Sequence, residues 1–112
     1  MPIIRSTEVK FTAGDTKGIK SRVMINSERG AVAVTLGEVI MNPGAELKMH
    51  THQVEEAFVI TKGTATVVLG NDTYVLNPSD VILAPARVPH TLANHGKDPM
   101  GFLFFYPTIE VE

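Results

Sequence analysis

Cysteine is absent from this 112-residue chain. That absence excludes disulfides, thiolate zinc sites, iron–sulfur clusters and a thiol nucleophile together, so any metal must be held by other side chains. An excess of one charge is also missing: 10 Lys and Arg stand against 12 Asp and Glu, a net charge of −2 without runs of like sign. Such a balance leaves no electrostatic footprint for nucleic acid or an anionic membrane surface. Long apolar runs are lacking as well. The longest, around Phe102 to Tyr106, is far too short to span a bilayer, and Met1-Pro2-Ile3-Ile4-Arg5 has neither the basic head nor the apolar run of a secretory signal. These absences predict a soluble, cytoplasmic protein whose partner is a small molecule, with no nucleic acid and no membrane.

Helical periodicity is the last thing missing, because no stretch of ten or more residues carries an apolar stripe at helical spacing. What is present is strand patterning. Ala31–Leu36 alternates Val32, Val34 and Leu36 with smaller residues, and Glu56–Thr61, Thr64–Leu69, Thr73–Leu76, Val81–Ala84 and Gly101–Tyr106 are rich in β-formers. Gly70-Asn71-Asp72 reads as a hairpin connector, and Asn77-Pro78-Ser79-Asp80 as a turn. Lys10–Lys20, polar and glycine-containing, reads as a loop leading in from an N-terminal strand. Many short strands separated by Gly and Pro turns predict an all-β fold, a sandwich or barrel, in one domain spanning 1–112 that buries roughly two-thirds of its unfolded surface.

Two of the four histidines lie together in Met49-His50-Thr51-His52. On a strand, alternate side chains share a face, which sets His50 and His52 about 6.6 Å apart on one side. Glu56 opens the next strand, within reach if Gln53 to Glu55 form a bend, and His90 arrives on a third strand after the turn at Arg87 to Pro89. Three imidazoles and a carboxylate form a mixed nitrogen and oxygen set suited to a divalent transition metal such as Mn, Fe, Ni or Zn rather than Mg or Ca. Four such ligands leave two positions of an octahedral ion for water or substrate. Glu55, of opposite parity, is the substitute should Glu56 not serve, and His95 is a candidate fifth ligand. Glu46 and Lys48 share the parity of the histidines, so either the strand starts or bulges near Lys48, which is the favoured reading, or Lys48 lines the cavity mouth.

The order Gly44, His50-Thr51-His52, Glu56, Gly63, with five, three and six residues between, resembles the first motif of the cupin family. Pro85, His90 and Asn94 resemble part of the second, with Ser79 and Arg87 standing where glycines are usual. The resemblance covers about half the chain. It implies a double-stranded β-helix, or jelly-roll barrel, of short antiparallel strands enclosing a metal held by His50, His52, Glu56 and His90, and it implies a homodimer. Many cupins are dioxygenases, and others are isomerases, decarboxylases or hydrolases.

Parity places Phe58 and Ile60 with Glu56, and Leu92 with His90, as walls of a substrate cavity. Arg87 reads either as a clamp for a ligand carboxylate at the mouth or as a solvated loop residue. Tyr106, Tyr74 and Lys48 are the candidate acid–base helpers, and Tyr106 is also expected to line the substrate cavity. Phe102, Phe104 and Tyr106 oppose Leu103 and Phe105, so the last strand is apolar on both faces and needs two covers, one being a second subunit. The function expected is a metal-dependent enzyme, oxygenase-like, acting on a small oxygenated organic molecule with Glu56 as base. The alternatives are a non-catalytic module for a sugar or small acid, or a cupin isomerase or decarboxylase.

Overall fold

The computed structural model describes residues 2–110. Its strands are β1 (Thr12–Ala13), β2 (Ile19–Ile25), β3 (Thr35–Met41), β4 (Glu56–Lys62), β5 (Ala65–Leu69), β6 (Asp72–Leu76), β7 (Val81–Ala84), β8 (His90–Ala93) and β9 (Met100–Tyr106). One sheet runs β1-β2-β3-β9-β4-β7 and the other β6-β5-β8, every pairing antiparallel. An extended segment beside β8, bridged at Glu46 to Ala93 and at His50 to His90, lengthens the smaller sheet. Helix among the described residues is limited to the 3-10 turns Ser6–Glu8 and Ser27–Arg29. This is the jelly roll that the cupin resemblance implies, within the sandwich or barrel class that the strand pattern predicts.

Period-two alternation puts the core between the sheets. Across the large sheet, register stacks Gly37, Phe104, Phe58 and Ile82 in one inward row and Ser21, Val39, Phe102 and Ile60 in another. Phe58, Ile60, Phe102, Leu92, Met41 and Met100 are almost wholly buried. Each such side chain stabilises the fold by about 1.5–3 kcal/mol relative to exposure.

Three expectations need correction. The strand expected at Ala31–Leu36 begins only at Thr35 and runs on to Met41, because Val32 is 87% exposed and its alternation faces water rather than a core. In place of an N-terminal strand there is the Ser6–Glu8 turn, tied down where the Arg22 guanidinium donates to the carbonyls of Ser6 at 2.7 Å and Val9 at 2.8 Å. The stretch Lys10–Lys20 is not only loop: it holds β1, an exposed edge strand, and the first residues of β2.

The turns carry backbone strain at two places. Ser79 has φ +77° and Arg87 φ +64°, a left-handed conformation that favours glycine. Each is the third residue of a closed turn. Asp80 N–H donates to the Asn77 carbonyl across Pro78-Ser79, and Val88 N–H donates to the Pro85 carbonyl across Ala86-Arg87. The β5–β6 hairpin instead places Gly70, at φ +62°, first in a two-residue loop, the type II′ arrangement.

Candidate metal centre

The segment 45–50 follows β8 but gains one residue on it. From Glu46 to His50 the chain advances four residues while its partner advances three, from Ala93 to His90. The extra residue falls around Lys48, as the bulge reading requires, and Lys48 is exposed. The bulge carbonyl is also used, since His50 Nδ1 lies 2.7 Å from the Lys48 oxygen. His50 and His90 then bridge through both backbone hydrogen bonds, 3.1 and 3.0 Å, which sets their rings 4.3 Å apart. The Pro85–Val88 turn fixes the third histidine, because Arg87 N–H donates to the His52 carbonyl at 2.8 Å. Glu56 is the first residue of β4 and points inward beside them, buried.

The sequence therefore delivers His50, His52, Glu56 and His90 to one place, with one donor atom from each lying within 4.8 Å of the others. The hydrogen bonds decide what those atoms can do. His50 Nδ1–H donates to the Lys48 carbonyl, and His90 Nδ1–H to the Val88 carbonyl at 2.9 Å, so both rings turn an Nε2 lone pair away from the backbone. Glu56 Oε1 lies 3.1 Å from His90 Nε2 and 3.3 Å from His52 Nε2. Electron-rich atoms at such separations repel unless a cation, a proton or a metal ion, lies among them. Three imidazoles, two of them with tautomers fixed by backbone carbonyls, and a carboxylate form a group able to hold a divalent metal ion.

Without a metal, the proton takes that role on His90. Burial opposes its charge, but the hydrogen bond to Glu56, the Val88 carbonyl and the Glu56 charge outweigh burial and raise its pKa above 6.5. The Tyr106 hydroxyl oxygen lies 3.0 Å from His52 Nε2. Burial first, then the charge and hydrogen bonding of Glu56, hold that phenol protonated well above the usual phenol range.

A cavity of about 250 Å³ opens onto His50, His52 and Glu56. Phe58 and Tyr106 line it as expected, joined by Phe102, Phe104, Val39 and Leu47. Phe102 and Phe104 share the parity of Tyr106, which is the signal in the sequence that they reach the same cavity. Ile60 and Leu92 do point inward, but they are packed into the core and not among the cavity walls. Arg87 is also outside the lining: it is exposed at the turn, and its backbone rather than its guanidinium reaches the site. Glu55 is exposed and outside the cluster, His95 pairs with Glu46 at 3.1 Å on the surface, and Tyr74 is exposed on β6. A larger cavity of about 500 Å³ lies on the outer face between the N-terminal segment and Leu36 and Leu103. It contains none of the four clustered residues.

Residues 37–106 match the family model described as the cupin domain, and the chain belongs to the cupin family. Over 73 residues it is 30% identical to an uncharacterized protein of Methanocaldococcus jannaschii, a match covering 64% of this chain and 58% of that protein. Among solved structures, the polyketide cyclase RemF of Streptomyces resistomycificus superposes with a TM-score of 0.89 at 24% identity, covering 99% of this chain and 81% of that one. A predicted oxalate decarboxylase of Thermotoga maritima superposes at 0.84 with 18% identity, covering 96% and 99%. Likeness at these identities shows the shared barrel. Among the described residues, no helix is long and apolar enough to cross a membrane.

Proposed function

We propose that this cupin is a metal-dependent enzyme, oxygenase-like, acting on a small oxygenated organic molecule, with His50, His52, Glu56 and His90 as the ligands of a divalent transition metal. The observation that carries the reading is the gathering of the four donor atoms within 4.8 Å at the end of a partly apolar cavity. A cupin barrel serves proteins described as a cyclase and as a predicted decarboxylase, so the reaction is argued from the site and not from the fold. A bound metal supplies Lewis acidity, a template for substrate oxygens and, for Mn or Fe, access to oxygen chemistry. The chain's own groups do the rest. Phe58, Phe102 and Phe104 exclude water, Glu56 takes a proton from the substrate, and Tyr106 brings a protonated hydroxyl to the same cavity. The test is elemental analysis of protein purified without added metal, followed by oxygen-consumption screening. Stoichiometric Mn or Fe with oxygen uptake on a substrate supports the reading, and metal-free protein that takes up no added metal refutes it.

We also infer that the working unit is a homodimer. On the outer face of the large sheet, register aligns Leu36, Phe105, Ala57 and Leu83 in one row and Leu103, Val59 and Val81 in the next. Val81 is 65% and Leu83 55% exposed, and a second copy laid on these rows would cover them.

A further inference from the structure

The cavity beside the cluster has a marked chemical character. Phe102, Phe104 and Tyr106 wall it along β9 and Phe58 across β4, with Phe58 edge-on to Phe102 and Phe104 edge-on to Tyr106, each at 5.6 Å. Among the described residues no Lys or Arg lines it, and apart from the clustered residues only Ser21 and Tyr106 bring a polar side chain to the lining. A sugar or a carboxylate would give up its hydration on entry and find too few partners to replace it. A flat apolar ring loses little and gains edge-to-face contacts.

The width of this space depends on a residue that does not line it. Gly37 stands directly opposite Phe104 in the sheet, and a Cβ there would lie 2.1 Å from Phe104 Cζ and 2.8 Å from the Arg22 carbonyl oxygen. Glycine lets the Phe104 ring lie over the β3 backbone; a side chain would push the ring away from that seat, towards the cavity. At about 250 Å³ the space is below the roughly 300–1,000 Å³ of pockets for drug-sized ligands, which suits a molecule of about one ring. Tyr106 supplies the remaining specificity. Its hydroxyl lies 3.0 Å from His52 Nε2 and hydrogen-bonds Glu56, and where a cation takes those two groups the hydroxyl must find another acceptor.

We propose that the site takes a small, flat, uncharged aromatic molecule carrying oxygen substituents, its ring seated among Phe58, Phe102 and Phe104, an oxygen accepting from Tyr106, and Gly37 setting the width through Phe104. The proposal rests on the metal-dependent reading above, and names the ligand class for the same cavity. The test is calorimetric titration of zinc-loaded protein with catechol and with oxalate, both of which present two adjacent oxygens. Zinc is redox-silent, so binding is read without turnover. Wild type and Phe104→Leu share the ion's own preference for either chelator, so their difference reads the wall. Phe104→Leu is expected to weaken catechol about tenfold and leave oxalate unchanged, with zinc content equal to wild type. Gly37→Ala should weaken catechol similarly. Tyr106→Phe should weaken it severalfold at full zinc content. If Phe104→Leu binds catechol as wild type does, or loses oxalate equally, the ligand class is wrong. If wild type takes up no zinc, the metal reading fails instead.

Discussion

His50 and His90 each lock one ring nitrogen on a backbone carbonyl and offer the other to the cluster, so truncating either removes a donor that no neighbour replaces. His50→Ala or His90→Ala should lose most bound metal by elemental analysis. The melting temperature should fall because the stabilisation that binding supplied is lost, about 2.7 kcal/mol when free metal is a hundred times its dissociation constant. A variant that keeps stoichiometric metal would refute the ligand assignment. The proton on His90 gives a second expectation. Its folded pKa is raised above 6.5, so in metal-free protein its charge contributes stability that is fully present below the unfolded value and is lost as pH rises through the folded one. Metal competes for the same lone pairs, so metal binding must strengthen over that same rise. Thermal melts from pH 6 to 9 should show the metal-free protein weakening and the metal-loaded protein gaining on it. Parallel curves would mean that His90 is not the shared group. The histidine spacing was legible in the sequence because period two is rigid. The buried proton was not, since it depends on Glu56 arriving from another strand.

Turns decide how the strands deliver these side chains. Ser79 and Arg87 hold left-handed backbone that costs a non-glycine residue roughly 1–2 kcal/mol, partly offset because glycine is looser when unfolded. Ser79→Gly and Arg87→Gly should each stabilise the protein by about 0.5–1 kcal/mol in denaturant unfolding, without loss of metal. A destabilised Arg87→Gly would show that the guanidinium has a role the turn does not explain. Gly63 is the opposite case: at φ +72° an added Cβ would lie 2.6 Å from the Pro99 carbonyl oxygen, so Gly63→Ala should destabilise by more than 1 kcal/mol. The two turns were readable from Pro78 and Pro85 and from the missing glycines. The true extent of β3 was not. Gly37 interrupts its alternation for the sake of Phe104, while Val32 and Val34 imitate a buried face that exists nowhere.

The outer rows of the large sheet bear on assembly. With Val81 and Leu83 exposed beside partly covered Val59, Leu103 and Phe105, the homodimer reading predicts that sedimentation at micromolar concentration gives twice the chain mass. Val81→Lys with Leu83→Lys should then shift the protein to monomer while metal content stays constant, because both side chains point away from the cavity. A wild-type monomer at that concentration would refute the assembly. The two-sided apolar character of β9 was visible in its alternation, whereas the alignment of its outer residues with those of β3, β4 and β7 depends on pairings between distant segments.

Local spacing and turn chemistry by themselves determined the all-β class, most strand positions, the inward parity of Glu56 and Phe58, and the shared face of His50 and His52. Each follows from the two-residue period of a strand and the few conformations open to proline and glycine turns. Only the tertiary structure decided that Ile60 and Leu92 fill the core, that Arg87 faces solvent, and that Phe102 and Phe104 wall the cavity with Gly37 behind them. Parity tells which face of a sheet a side chain takes. How deep it lies along that face, and what stands across from it, is set by registry between strands that are far apart in the chain.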